Sequence, residues 1–144
     1  MSSISPAEAA TSSSGPSEAP PHDPLVQYVV IRKDLWTAEG WPLGSVVAQA
    51  CHASTAAMYL FRDDPQTIEY QADVDHMHKV VLEVKDQAAL RALSAKLDEA
   101  QILHKLWIEQ PENVATSLAS KPDVKSQLAP HFKKLALAKS KITP

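Results

Sequence analysis

Three short stretches hold side chains whose types and spacing could do chemistry. The first contains Ser45, Gln49 and His52, at i, i+4 and i+7 in an alanine-rich run without proline. At 100° per residue, these three fall within about 60° of one another on a helix. An imidazole there can donate a hydrogen bond or act as a general acid or base, and Gln49 can orient a polar substrate. Ala48, Ala53 and Ala56 surround this stripe and leave room for close approach. The alternative is an ordinary surface helix carrying one histidine.

The second stretch is Lys33 and Asp34, directly after a β-branched run. Ligands of α/β sheets gather outside the carboxyl ends of parallel strands. Lys33 there can hold a phosphate or polarise a carbonyl, and Asp34 can orient the lysine or hold a water. The alternative is a charged turn. Trp36 and Trp41, in the same loop, can stack unpaired bases or fold back over the core. The third stretch is Glu109-Gln110-Pro111-Glu112-Asn113, at a strand terminus. If the first and third strands are parallel neighbours, this stretch faces the Lys33–Asp34 turn. Two carboxylates near a lysine and a histidine can then run water-mediated hydrolysis. The alternative is a polar turn. His76 and His78 would share one strand face, but Lys79 follows and no acidic or sulfur partner is fixed, so no metal site is expected.

The elements that must position these residues follow from periodicity. Val26–Arg32 is β-branched and aromatic and reads as a buried central strand. A helix from about Leu43 to Phe61 carries Val47, Ala50, Cys51, Ser54, Met58 and Phe61 as its apolar stripe, which places Ser45, Gln49 and His52 on the opposite side. Pro65 opens a second helix, to about Val74. Lys79–Val84 reads as a strand, and Asp86 as the N-cap of a helix with Leu90, Leu93 and Leu97 as its seam. A third strand runs from about Leu103 to Glu109 and stops at Pro111. Val114–Leu118 forms a short fourth strand, and Pro122 suits the start of a last helix that Pro130 interrupts or ends. The order β-α-α-β-α-β-β-α predicts an α/β fold of three α/β/α layers around a mixed four-stranded sheet.

Composition narrows the function. The chain has 144 residues, 44% hydrophobic and 22% charged, as one soluble domain would. Three glycines, Gly15, Gly40 and Gly44, leave neither a dinucleotide fingerprint nor a P-loop. The lone Cys51 excludes an internal disulfide framework. No apolar run reaches the roughly 20 residues of a membrane span. Residues 1–24 are rich in Ser, Pro and Ala and read as a disordered tail, leaving one domain over residues 25–144. With no secretory or presequence signal, the expected location is cytoplasmic. The net charge is −3, yet residues 114–144 carry six lysines against Asp123, including Lys133 and Lys134. That basic end suits a phosphate backbone, or is simply a solvated surface.

QYVVIRKDL, WPLGSVVAQACHASTAA, KVVLEV and HKLWIEQPENVATSLASKP together resemble the type 2 peptidyl-tRNA hydrolases. More closely, they resemble the divergent peptidyl-tRNA hydrolase domain-containing branch. The resemblance spans about Leu25 to Leu137. Its most specific part is the G-x-x-x-A-Q-x-x-H-A core at Gly44, Ala48, Gln49, His52 and Ala53. It implies a mixed four-stranded sheet with helices on both faces. It also implies hydrolysis of the ester joining a peptide to the terminal ribose of tRNA, with no metal or organic cofactor. Typical members carry lysines where Trp36 and Ser45 stand here. They also carry an Asp-Ala-Gly-x-Thr segment where this chain has Glu109 to Asn113, with Thr116 a possible counterpart of a later threonine.

On this basis His52, Lys33 and Glu109 are the expected catalytic groups. His52 would contact substrate or shuttle protons, Lys33 would neutralise developing charge, and Glu109 would position water. Asp34, Gly44, Ser45, Gln49, Asn113 and Thr116 are the expected substrate contacts, with Lys133 and Lys134 holding tRNA phosphates. The partner is peptidyl-tRNA, with RNA contacts through the basic C-terminal segment. Two other readings stay open: an RNA-binding module that has lost hydrolysis, and a protein-interaction adaptor.

Overall fold

The computed structural model describes residues 22–142. Most of the expected tail over residues 1–24 lies outside them. The elements are β1 (Leu25–Arg32), α1 (Asp34–Thr37), α2 (Leu43–Leu60), α3 (Pro65–Ala72), β2 (Lys79–Val84), α4 (Gln87–Glu99), β3 (His104–Glu109), β4 (Val114–Ser120), β5 (Asp123–Val124), α5 (Lys125–Phe132) and β6 (Ala136–Leu137). The sheet is mixed, in the order β3-β4-β1-β2-β6, with β5 paired to β1. It has six strands where four were expected. The two additions, β5 and β6, are two residues each, too short to leave an alternation in the sequence.

β1 is buried along nearly its whole length because both its faces are covered. Val26, Tyr28 and Val30 pack against Leu90, Leu93 and Leu97 of α4 and Leu128 and Phe132 of α5. The Tyr28 and Phe132 rings stack with centroids 4.5 Å apart. Val29 faces the other way, onto Ala53 and Ala57 of α2, and Ile31 meets Leu35, Trp36 and Val46. These are the three layers the alternation predicts. Each fully buried leucine of α4 contributes about 1.5–3 kcal/mol. Asp86 caps α4, its Oδ1 accepting from the Ala89 N–H at 2.9 Å.

β1 runs parallel to β2 and antiparallel to β4, and β4 runs antiparallel to β3. β3 is therefore parallel to β1 but not its neighbour, since β4 lies between them. Arg32 and Glu109 consequently end at the same edge of the sheet, one strand apart.

The face of α2 differs from the expected one. Its buried residues are Val46, Gln49, Ala53 and Ala57, whereas Val47 is 49% exposed and Cys51 is exposed. Two alanines let the helix settle close to the sheet, and polar groups on β4 draw Gln49 inward. The stripe around Gln49 thus faces the sheet and borders it, instead of lying opposite. No helix of the described residues is long and apolar enough to cross a membrane.

Candidate functional site

A cleft of about 440 Å³ opens between the first turns of α2 and the end of β3. Ser45, Gln49 and His52 line one side and Glu109, Gln110 and Glu112 the other; Gly40, Trp41 and Pro42 form a wall. Ala48 also lines the cleft, where its single methyl leaves space that a longer side chain would fill. Two of the three sequence stretches therefore converge.

Gln49 is 4% exposed, and a buried amide needs partners. Its Oε1 accepts from the Thr116 hydroxyl at 2.6 Å, and its backbone carbonyl accepts from the Ser117 hydroxyl at 2.7 Å. Consecutive strand residues ordinarily point to opposite faces. Here the register shifts between Trp107 and Ile108: Trp107 pairs with Ser117 but Ile108 with Ala115, leaving Thr116 as an extra residue. That bulge re-aims Thr116 toward α2 beside Ser117.

The His52 imidazole lies parallel to the Trp107 indole, with centroids 4.6 Å apart and planes 10° from coplanar. The Trp107 Nε1–H donates to Glu109 Oε2 at 3.2 Å. That bond, the Gln49 amide, the Gln110 backbone N–H and nearby His52 hold the Glu109 carboxyl below its ordinary range. Glu109 is thus a stable anion two residues from the ring that stacks on the imidazole. The sequence reading missed Trp107, although a strand residue two before Glu109 shares its face.

The other expected site residues sit elsewhere. Lys33 does not line the cleft, and neither does Asp34, whose two carboxylate oxygens accept from the Arg32 guanidinium at 2.7 and 2.8 Å. Arg32, only 5% exposed, also donates to Glu39 at 2.9 Å and to the Ala115 carbonyl at 3.1 Å. The turn after β1 therefore works as a brace. Through Glu39 it holds the loop bearing Gly40, Trp41 and Pro42. Gly44 is exposed outside the cleft, and a Cβ there would meet nothing within 4 Å. Asn113 takes φ 56° in the β3–β4 turn, a conformation asparagine tolerates, and accepts from Gln110. Thr116 is fully buried, so its contact is with Gln49 and not with a bound molecule. Lys133 and Lys134 are exposed after α5, which packs on the opposite face of the sheet from α2.

Trp36 folds back into the core at 6% exposure, whereas Trp41 stays half-buried on the cleft wall. His76 and His78 precede β2 instead of sharing a strand face, and the His76 Nδ1 faces Asp73 at 2.8 Å. Among the described residues, no group of three or more His, Cys, Asp or Glu is placed to hold a metal ion.

A family model described as Peptidyl-tRNA hydrolase PTH2 matches residues 25–138. The chain is also 49% identical over 116 residues to "Putative peptidyl-tRNA hydrolase PTRHD1" of Mus musculus, covering 80% of this chain and 83% of that protein. It is 48% identical to the protein of the same name from Homo sapiens, over the same shares. The mixed sheet, the helical layers and this match over most of the chain agree: the protein belongs to the PTH2 family of peptidyl-tRNA hydrolases, in the divergent branch that the PTRHD1 proteins represent.

Proposed function

We propose that the cleft hydrolyses the ester between a peptide and the 3′-terminal ribose of tRNA. His52 takes a proton from a water as that water attacks the ester carbonyl carbon. The bond to the ribose oxygen breaks, and the imidazolium returns its proton to that oxygen. The products are a free peptide carboxyl and a tRNA with its terminal hydroxyl restored. Glu109, kept anionic, orients the water and stabilises the imidazolium. Gln49, fixed by Thr116, holds the substrate amide. The observation that carries this reading is the double attachment of Trp107, stacked on His52 and hydrogen-bonded to Glu109. A tRNA far exceeds the cleft, so exposed lysines outside it, Lys133 and Lys134 among them, meet phosphates and make binding salt-sensitive.

Purified peptidyl-tRNA tests this directly. Wild type is expected to release tRNA, and His52→Ala to lose about 10²–10⁴-fold in rate. Release by wild type no faster than in buffer defeats the enzyme reading. One observation favours a second reading, an RNA-binding fold without turnover: among the described residues, no Lys or Arg lines the cleft to meet an oxyanion. A mobility shift with tRNA and no release would select it. Neither a shift nor release would leave the adaptor.

A further inference from the structure

The two edges of the sheet differ. On one side β2 is closed by the short strand β6, and the Ala138 N–H just beyond it donates to the Val81 carbonyl at 3.0 Å. On the other side β3 has β4 along one flank and, among the described residues, no strand along the other. Every residue of β3 is half-buried, whereas β4 is buried from Ala115 to Ser120. In an antiparallel pair, backbone groups turn toward the neighbouring strand at every second residue. The Lys121 N–H donates to the Leu103 carbonyl at 2.9 Å, so Lys105 and Trp107, in the same phase, face β4. His104 and Leu106 therefore turn their N–H and C=O outward. Ile108 does the same, because its partner Ala115 uses both backbone groups elsewhere. The Ala115 N–H donates to Gln87 Oε1 at 2.8 Å, and its carbonyl accepts from Arg32 at 3.1 Å. Open edges are ordinarily blunted by charges, prolines or bulges. Between its ends β3 carries one charge, Lys105, and no proline, and the extra residue of the bulge sits on β4.

We infer that this open edge holds the peptide part of the substrate as an added strand. The inference rests on the reading of the cleft as a peptidyl-tRNA site. β3 runs toward the cleft and ends there with Glu109. A peptidyl ester places the C-terminal carbonyl of the peptide in the cleft. The rest of the peptide then trails back along β3, parallel to it. His104, Leu106 and Ile108 exchange main-chain hydrogen bonds with alternate peptide residues, over a length of about four residues. Such bonds read no side chains, which suits a peptide that differs from one substrate molecule to the next.

Two probes test this on the full chain: 3′-amino-3′-deoxyadenosine joined through a stable amide to acetyl-alanine, or to acetyl-tetraalanine. The adenosine is common to both, so the difference reports the peptide alone. The longer probe should bind about tenfold more tightly and slow amide exchange at Leu106 and Ile108 about fivefold, with Lys105 slow throughout because β4 already holds it. N-methylation of one peptide amide at a time should weaken binding about fivefold at every second residue and less than about twofold in between. Alanine-to-serine changes in the peptide should stay within about twofold. Equal binding of the two probes, unchanged exchange at Leu106 and Ile108, or N-methyl losses without the two-residue period would each overturn the inference. So would exchange at these amides that slows with protein concentration alone, which would give the edge to a second copy of the chain. Protection by the longer probe, with wild type inert on peptidyl-tRNA, keeps the strand site and removes the hydrolase reading. Hydrolysis by wild type at a kcat/KM independent of peptide length, with the edge amides unprotected, does the reverse.

Discussion

His52 and Trp107 lie face to face, their ring centroids 4.6 Å apart, on elements separated in the chain by two helices and a strand. The contact fixes the plane of the imidazole, and the other edge of the same indole holds Glu109. One side chain thereby sets the mutual geometry of the proposed base and its anionic partner.

Trp107→Phe separates these two duties. The ring against His52 is kept and the N–H to Glu109 is lost, so the Glu109 pKa rises toward the ordinary carboxylate range. Glu109 remains an anion at neutral pH, so kcat/KM there should fall by less than about tenfold, through the lost positioning of the carboxylate. Trp107→Ala, which also removes the stack, should lose more. A kcat/KM at neutral pH identical to wild type in Trp107→Phe would release the Trp107–Glu109 hydrogen bond from any role in the reaction.

Thr116→Val keeps shape but leaves the buried Gln49 Oε1 without its donor. Unfolding free energy from urea titration should fall by about 1–3 kcal/mol, and kcat should fall with it. Thr116→Ser, which keeps the hydroxyl, should recover most of both. A change within about 0.5 kcal/mol would mean that the amide finds another donor.

Arg32→Met deletes the brace behind the cleft wall. A broken buried pair costs about 3–5 kcal/mol, but Asp34 is 22% exposed and can rehydrate, so about 2–4 kcal/mol is expected. KM should rise as the Gly40–Pro42 loop loosens. Arg32→Lys should not restore wild type, because one ammonium cannot reproduce the forked contact with both Asp34 oxygens.

Asp64 supplies a pH-dependent term far from the cleft. Burial pushes its carboxyl up, but the Lys121 ammonium at 2.9 Å and the Gln66 N–H outweigh this and hold it below its ordinary 3.8. A depressed folded value means the contribution is fully present above 3.8 and is lost as pH falls through the lower folded value. Asp64→Asn should therefore cost about 1 kcal/mol at neutral pH, and its denaturation curve should converge on wild type in acid. A difference that persists unchanged in acid would assign the cost to packing.

Elements with local signals were readable from the sequence. Lys79–Val84 announced β2 by its β-branched run, Asp86 announced a helix start, and Leu90, Leu93 and Leu97 formed the seam of α4. What escaped depends on partners distant in the chain. The buried side of α2 is chosen by the hydroxyls of Thr116 and Ser117, so an alanine-rich helix with two plausible faces could not be oriented alone. The bulge at Thr116 is a property of pairing with β3. Of the site, His52, Gln49, Ser45 and Glu109 were legible and do share a cleft. Lys33 and Asp34 were misplaced because the neighbouring Arg32, read only as a strand end, is what Asp34 serves.

The carboxylate of Asp23, ahead of the first strand, accepts from both the backbone N–H and the hydroxyl of Ser126, at the opening of α5. A fragment trimmed to begin at Leu25 would keep every strand yet strip the first turn of α5 of these two hydrogen bonds and of the one from the Lys125 N–H to the Pro24 carbonyl at 2.9 Å. Fraying would then start near Lys125 and expose Leu128 and Phe132. An apparently dispensable leader residue thus governs how tightly the far layer closes.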